Sequence, residues 1–168
     1  TIESAGTFPL PEAQKDRFLL KIHMGYPKEE EERQLAMRTL TDEAPETLLA
    51  QGVVKPVLTE ERLLQMRKAL EDIEAPEPIQ RYIVELVRST RNHSAIKTGA
   101  GPRATQALLL SSRVCAALCA RDAVAVEDVQ RMALPCLEHR LILKPEFVEK
   151  GLSCTEAVQH VVAGISPP

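Results

Sequence analysis

The chain has 168 residues, of which 44% are apolar and 27% are charged, a composition typical of a globular protein with a packed core. Its formal net charge of -3 gives no general attraction to nucleic acid, and its Phe and Tyr residues are too few to stack on many bases. No apolar run approaches the ~20 residues that span a bilayer. We therefore expect a cytoplasmic protein that inserts into no membrane and binds no nucleic acid.

The first forty residues predict a loop, a helical turn, a strand and a longer helix. Glycine and proline interrupt residues 1 to 11, and a fixed φ and a carboxylate favour a turn starting at Pro11 or Glu12. Alternating apolar residues from Leu19 to Met24 predict a strand. The acidic start of residues 28 to 40 predicts a helix, because carboxylates are favourable at a helix N-terminus.

A looser segment from Thr41 to Val57 follows and marks the predicted domain boundary. We assign residues 1–55 to one domain and residues 56–168 to a second domain that is almost wholly helical. Because the chain opens at Thr1 without an initiator Met and is densely patterned at once, we interpret it as part of a longer protein.

Helical periodicity dominates the second domain. Thr59 is a candidate cap for its first helix, and the stripe from Ile79 to Val87 predicts a helix that ends near Asn92. The stretch from Pro102 to about Ala120 is apolar nearly all round, which predicts a central helix covered by its neighbours.

The last third of the chain predicts two more helices. A brief extended piece, Val124 to Val126, precedes a helix that runs on to Leu141. Ser153 and Glu156 form a capping box at the start of the final helix, which Gly164 ends.

Arg17 is the first candidate functional residue. It ends a helical turn directly before an apolar stretch, so its backbone would be held while its guanidinium reaches outward. Alternatively, it would be an ordinary surface arginine paired with Asp16 or Glu12. Position alone favours the surface pairing, because exposed ion pairs are common.

Arg103 is the second candidate, because it lies in the first turn of a helix with Pro102 at the first position and Gly101 as the cap. A cation there opposes the positive end of the helix dipole, and a bound anion would relieve that repulsion. The exposed N–H groups of the turn and the guanidinium would together suit a phosphate. Alternatively, Arg103 extends into solvent or pairs with a glutamate.

Two motifs carry a resemblance to a known family. The string ESAGTFPLPEAQKDRF (3 to 18) is similar to the signature of MoxR-type AAA+ ATPases, although Thr1 stands where Pro is usual and Lys15 where Leu is usual. The string GAGPRATQALL (99 to 109) looks like the start of a lid helix in the same family, and the strings from 79 to 91 and from 134 to 141 also resemble its lid.

The resemblance implies roles for both arginines. Arg17 matches the arginine finger, which enters the ATP site of the neighbouring subunit in trans. Arg103 matches the sensor 2 arginine, which contacts ATP in its own subunit, in cis, with Gly101 and Pro102 beside the phosphates. The implied fold is mainly α: a helical lid preceded by a strand-and-helix remnant of the α/β ATPase core, the remnant holding the core's last strand.

The motifs that hold phosphates and magnesium do not occur in the sequence. There is no G-x-x-x-x-G-K-[ST] and no apolar strand that ends in acidic residues. We therefore expect ATP and Mg²⁺ to belong to the full-length protein, and this chain alone to bind neither tightly and to be inactive. The γ-phosphate-sensing Asn would precede Thr1.

The resemblance also implies partners. We expect a homo-oligomer, a hexameric ring in the full-length protein, that couples ATP hydrolysis to chaperone-like maturation of other proteins, with von Willebrand factor A-domain proteins as partners. One alternative is a helical module that only docks proteins. Another is a nucleic-acid binder, but the likeliest stretch, 81 to 93, mixes Glu85 with its arginines.

Four further residues leave a zinc site open as a minor alternative. Cys115 and Cys119 on one helix would have to meet Cys136 and His139 on the next. Because cysteine also serves as a small core residue, we predict no metal site.

Overall fold

The computed structural model describes residues 10–41 and 45–168. Two short antiparallel strands accompany the helices, β1 (Ile96–Thr98) and β2 (Ile142–Leu143). The helices of the described residues are α1 (Glu12–Lys15), α2 (Glu29–Thr39), α3 (Pro45–Ala50), α4 (Glu60–Ala69), α5 (Glu77–Asn92), α6 (Pro102–Leu118), α7 (Val126–Leu137), α8 (Pro145–Val148) and α9 (Cys154–Ala163).

The fold is mainly α, as predicted, and the chain forms two compact units. Among the described residues, the larger unit contains 10–22 and 69–168, and the smaller unit contains 23–41 and 45–68. The predicted domain boundary after residue 55 follows another criterion, the resemblance to an ATPase core and its lid, and it stays a prediction. Residues 1–9, which carry the predicted N-terminal loop and half of the first motif, lie outside the described residues.

The smaller unit consists of α2, α3 and nearly all of α4. The helix predicted at 28–40 is confirmed, and the Lys28 N–H donates to the Glu31 carboxylate over 2.8 Å at its start. Thr59 caps α4 as predicted, with its Oγ1 accepting from the Arg62 N–H over 3.3 Å. The segment predicted to be loose contains α3, because Pro45 supplies the φ of a first helical position.

Four helices, α5, α6, α7 and α9, build the core of the larger unit. The stripe predicted from Ile79 to Val87 is confirmed as the buried face of α5, and the Ser153–Glu156 capping box starts α9. No helix among the described residues is long and apolar enough to cross a membrane. The largest side chains of this core that are almost wholly buried include Ile83, Leu86, Val87, Leu108, Val129, Leu137 and Val158.

The prediction that α6 is covered on all sides is wrong. Ala104, Leu108 and Ser112 are buried, but Leu110 is 53% exposed and Leu118 is 79% exposed. The face of α6 that is rich in small residues packs against α5 and α7, and the opposite apolar face is exposed.

The prediction of a strand from Leu19 to Met24 is also wrong. These residues join no β-ladder among the described residues, and Ile22 and Met24 are exposed. A strand needs a neighbour to satisfy its backbone groups. Here the Lys21 N–H instead donates to the Pro135 carbonyl near the end of α7, over 2.9 Å.

Two short pairings tie the loops of the larger unit together. Strands β1 and β2 pair through Ile96 with Leu143 and Thr98 with Ile142, an irregular register. The extended piece predicted at Val124 is confirmed where its N–H donates to the Glu74 carbonyl over 2.8 Å, although Val126 already starts α7.

The loop before α6 lies directly against the end of α5. The Thr90 hydroxyl accepts from the Ala100 N–H over 3.0 Å, and Arg91 Nε donates to the Ala100 carbonyl over 2.8 Å. Gly99 is so close to α5 that a Cβ would lie 2.7 Å from the Arg91 Cα and the Thr90 carbonyl carbon. These contacts fix the point from which α6 starts.

Replacing Gly99 should therefore destabilise the larger unit. In Gly99→Ala the new methyl group meets backbone atoms that cannot move aside, and we expect a loss of about 1–3 kcal/mol in the free energy of unfolding. Gly101 is the matched control, because nothing lies within 4 Å of a Cβ there. Gly101→Ala should cost at most about 1 kcal/mol, the effect of a poorer cap. Urea unfolding of both variants measures the difference, and equal losses would contradict this packing.

An ion pair between the partly exposed Arg121 and the buried Asp128 fixes the start of α7. Arg121 donates to both carboxylate oxygens of Asp128, over 2.7 and 2.5 Å, and the Ala125 N–H donates to the same group over 2.9 Å. Burial by itself raises the pKa of Asp128, but these donors outweigh it, and the pKa lies below the ordinary value of 3.8.

Asp128→Asn should therefore lower the free energy of unfolding at neutral pH by about 1–3 kcal/mol, because charged hydrogen bonds to a buried acceptor are lost. Since the folded state lowers the pKa, the stabilisation is present above pH 3.8 and is lost as the pH falls through the folded value. Urea titrations at pH 7 and pH 3 should show the gap between wild type and variant narrowing. The exposed neighbour variant Glu127→Gln is the control, and an unchanged gap would refute the assignment.

Candidate functional site

Arg17 lies in the turn that follows α1, and its side chain points into solvent. The short helix positions it, since the Arg17 N–H donates to the Gln14 carbonyl over 3.4 Å. Among the described residues, the Arg17 guanidinium has no hydrogen bond or ion pair, so the pairing with Asp16 or Glu12 considered as an alternative is not formed there. The guanidinium is available for an outside anion.

Arg103 lies in the first turn of α6, with its side chain 61% exposed. Its Nη1 is 3.7 Å from Asp16 Oδ2, too far for a hydrogen bond but close enough for a weak ion pair. The partner is thus an aspartate in the turn that bears Arg17, and not a glutamate. A phosphate group could displace this contact at little cost.

Asp16 brings the two predicted arginines to one region of the larger unit. One oxygen faces Arg103, and the other accepts from Arg140 Nε over 3.1 Å. A cleft of about 220 Å³ separates the turn from the loop that holds Gly101. The structure therefore places Arg17, through its neighbour Asp16, beside the N-terminus of α6.

Arg140 is the residue that sequence reasoning missed. Its side chain is only 3% exposed, and its donors reach four backbone carbonyls as well as the Asp16 carboxylate. Nη2 donates to Phe18 over 2.6 Å and to Asp16 over 3.2 Å, while Nη1 donates to Leu19 over 3.4 Å and to Cys136. A guanidinium carries five N–H donors in a rigid fork, which suits a cluster of carbonyls.

The end of α7 explains why these contacts form. The last carbonyls of a helix have no partner within it and attract donors and cations. Here Cys136 accepts from Arg140 and Pro135 accepts from the Lys21 N–H. Lys21 Nζ also pairs with Glu138 over 3.3 Å. The end of α7 thus holds the chain from Asp16 to Lys21, which we call the finger segment.

His139 adds a further bond to the finger segment. Its Nε2 lies 3.0 Å from the Phe18 carbonyl, which can only accept, so Nε2 carries the proton. Nδ1 is buried and has no hydrogen-bond partner among the described residues. Burial lowers the pKa of His139, more than the Phe18 contact raises it, and favours the neutral ring.

The sequence contains one sign that the residues around Arg140 make buried contacts. The stretch from Glu138 to Arg140 places three ionisable residues directly after an apolar helix, and two of the three are buried. Charged residues are rarely buried unless paired. What the sequence did not show was the partner, since the finger segment lies more than a hundred residues away.

Gly101 and Pro102 occupy the positions predicted for them, cap and first residue of α6. Gly101 has φ -81°, which any residue can adopt, and open space around its Cα. Its glycine is therefore not required by the fold. A ligand that approaches the backbone closely would give a reason for it.

No three His, Cys, Asp or Glu side chains in ranges 10–41 and 45–168 are grouped so that they could hold a metal ion. Cys136 instead lies 3.3 Å from the Ser111 hydroxyl, and His139 binds a carbonyl. Burial raises the pKa of Cys136 and of Cys115, so both favour the neutral thiol. The zinc alternative finds no support.

Comparison with known proteins relates the chain to one family. Residues 88–161 match the model of the AAA lid domain. The chain is 35% identical over 167 residues to the uncharacterized protein YeaC of Bacillus subtilis, covering 99% of this chain and 50% of that protein. It is 31% identical over 180 residues to the chaperone MoxR1 of Mycobacterium tuberculosis, covering 99% and 45%.

The fold is shared with a solved structure. The crystal structure of a "putative ATPase" from Cytophaga hutchinsonii superimposes with a TM-score of 0.85 at 30% identity, over 99% of this chain and 52% of the other. The chain thus spans about half the length of the relatives it matches. With the lid-domain match, the MoxR relatives and the common fold, the chain belongs to the MoxR family of AAA+ ATPases, of which it forms a lid-bearing C-terminal region.

Proposed function

We propose that this chain is the C-terminal portion of a ring-forming ATP hydrolase in which Arg17 and Arg103 contact the triphosphate. The observation that carries the proposal is the pair of exposed guanidiniums, one unpartnered among the described residues and one weakly paired, on elements joined through Asp16. Exposed arginines with nothing to bind are common, but two on one fixed region suit an anionic ligand.

Arg17 is the proposed arginine finger. Guanidinium stays protonated, so its role is to neutralise charge on the phosphoryl group during transfer. An arginine finger supplied by a second subunit or protein is worth about 10³–10⁵ in rate. Arg17 would act in trans, since it points outward from the larger unit, and hydrolysis would then depend on assembly of the ring.

Arg103 is the proposed sensor 2 arginine. It would bind phosphate together with the N–H groups of the first turn of α6, with the open backbone of Gly101 and Pro102 beside them. The resemblance assigns it to the ATP of its own subunit, in cis, and that assignment stays a prediction. Its ion pair with Asp16, the neighbour of Arg17, favours a second arrangement in which both arginines of one subunit contact the same ATP.

The rest of the nucleotide site would come from outside this chain. ATP and Mg²⁺ need a phosphate loop and acidic ligands, and the sequence contains neither motif. We propose that the intact protein supplies them, so that this chain alone is inactive and binds neither tightly. The chain's own contribution would be to neutralise phosphate charge and to transmit movement of the lid.

The wider proposal follows the family. A homo-oligomer, in a hexameric ring, would couple ATP hydrolysis to chaperone-like remodelling of protein partners in the cytoplasm, with von Willebrand factor A-domain proteins among them. One curated relative bears the name chaperone. Binding of nucleic acid is not part of the proposal, given the net charge of -3 and the few aromatic residues.

A helical docking module without a role in nucleotide turnover is the second candidate. The exposed apolar side chains of α6, Leu110, Val114 and Leu118, favour it. On this alternative both arginines are ordinary surface residues, and replacing either leaves ATP turnover unchanged.

Mixing two inactive variants of the intact protein tests the proposal. Arg17→Ala and Arg103→Ala should each lower kcat by a factor of at least about 10². If Arg103 acts in cis and Arg17 in trans, rings assembled from an equal mixture regain activity, because about one site in four combines an intact Arg103 with a neighbour's intact Arg17. If both arginines of one subunit contact the same ATP, every site in the mixture lacks one of them and the mixture stays inactive.

Arg81→Ala is the matched control, since Arg81 is an exposed arginine that pairs with Glu77 on α5. It should leave kcat unchanged. Steady-state phosphate release and the size of the assembly, measured for each variant, separate loss of chemistry from loss of the ring. Normal kcat in both single variants would refute the proposal and favour the docking module.

A further inference from the structure

One buried side chain, Arg140, makes most of the hydrogen bonds that hold the finger segment against the end of α7. We propose that Arg140 is a positioning residue for Arg17: it fixes the finger segment to the end of α7, so that the rate of the chemical step depends on Arg140 although its guanidinium is buried away from solvent. This inference rests on the proposed role of Arg17.

The contacts of Arg140 enclose Arg17 on both sides. Arg140 binds the carbonyl and carboxylate of Asp16, directly before Arg17, and the carbonyl of Phe18, directly after it, over 2.6 to 3.2 Å. Arg17 makes no side-chain bond among the described residues. The direction in which its side chain leaves the surface is therefore set by two neighbours, and both are bonded to Arg140.

Around Arg17 itself the finger segment has few other contacts, and Leu20 is its one apolar side chain that packs against the core among the described residues. Helix α1 is four residues long, too short to be stable alone, and no helix or strand is formed from residue 16 to residue 28. Leu19 and Phe18 are at least half exposed, so few apolar contacts hold the turn. Three further contacts, from the Lys21 N–H to Pro135, from Lys21 Nζ to Glu138 and from His139 to Phe18, reach the same end of α7.

Asp16 extends this connection to the second arginine. Its two oxygens face Arg140 and Arg103, so the turn, the end of α7 and the start of α6 are joined at one carboxylate. A shift of the lid would carry the finger segment with it. Misplacing a reacting or stabilising group by about 1 Å costs on the order of 10²-fold in rate.

Arg140→Lys in the intact protein tests the idea first. An ammonium group keeps the charge but cannot reach the separate acceptors that the fork reaches. We expect kcat to fall by about 100-fold while KM stays within about threefold, because the finger stabilises the transition state and the phosphate loop, outside this chain, would bind most of the ground-state phosphate charge. Arg81→Lys, a change at an exposed arginine, is the matched control and should alter neither constant.

A double-mutant cycle with Arg17→Ala separates positioning from general structural damage. If Arg140 acts through Arg17, adding Arg140→Lys to Arg17→Ala should cause no further loss of kcat. Turnover of radiolabelled ATP measures these low rates. A further loss equal to that in wild type would overturn the proposal, as would a normal kcat for Arg140→Lys. If Arg17→Ala itself has normal kcat, the proposed finger role fails instead.

Asp16→Asn covers the case in which Arg140→Lys fails to fold or assemble, as judged by thermal unfolding and by the size of the ring. It keeps the shape of the side chain and removes the charge that binds Arg140 and, more weakly, Arg103. The expected result is again a lower kcat in wild type and no added loss with Arg17→Ala. An added loss in that background would overturn the proposal.

Discussion

Burying the Arg140 guanidinium would cost several kcal/mol if its N–H groups were left without acceptors. The carbonyls of Asp16, Phe18 and Cys136 and the Asp16 carboxylate supply those acceptors. The same bonds satisfy carbonyls of a turn that has no regular structure and of the end of α7. The finger segment and the end of α7 therefore stabilise each other, and the site depends on this contact.

The contact between Arg140 and the finger segment fixes the positions of the two candidate arginines relative to each other in one unit. Arg17 is fixed through its neighbours, and Arg103 is fixed because Gly99, Thr90 and Arg91 set the start of α6. Both guanidiniums nevertheless stay exposed. Rigid backbone with free side-chain ends is the arrangement expected of groups that meet charge arriving from outside the unit, because no reorganisation is then needed when the ligand binds.

Periodicity predicted the long helices well, since burial on one face leaves a repeat in the sequence. It failed for Leu19 to Met24, where alternation suggested a strand but the described residues offer no neighbouring strand. It failed also for α6, where mostly small residues face the core and several large apolar residues are exposed. The motifs predicted Arg17, Arg103, Gly101 and Pro102 as site residues. Arg140 was missed because its value lies in a contact across more than a hundred residues, which local patterns do not encode.

A structure of the intact ring with a non-hydrolysable ATP analogue tests the central claim most directly. We predict that Arg140 Nη2 stays within hydrogen-bond distance of the Phe18 carbonyl, and that the Arg17 guanidinium contacts the γ-phosphate held by the adjacent subunit. A ring in which Arg140 no longer bonds to the finger segment while Arg17 still contacts that phosphate would contradict this claim.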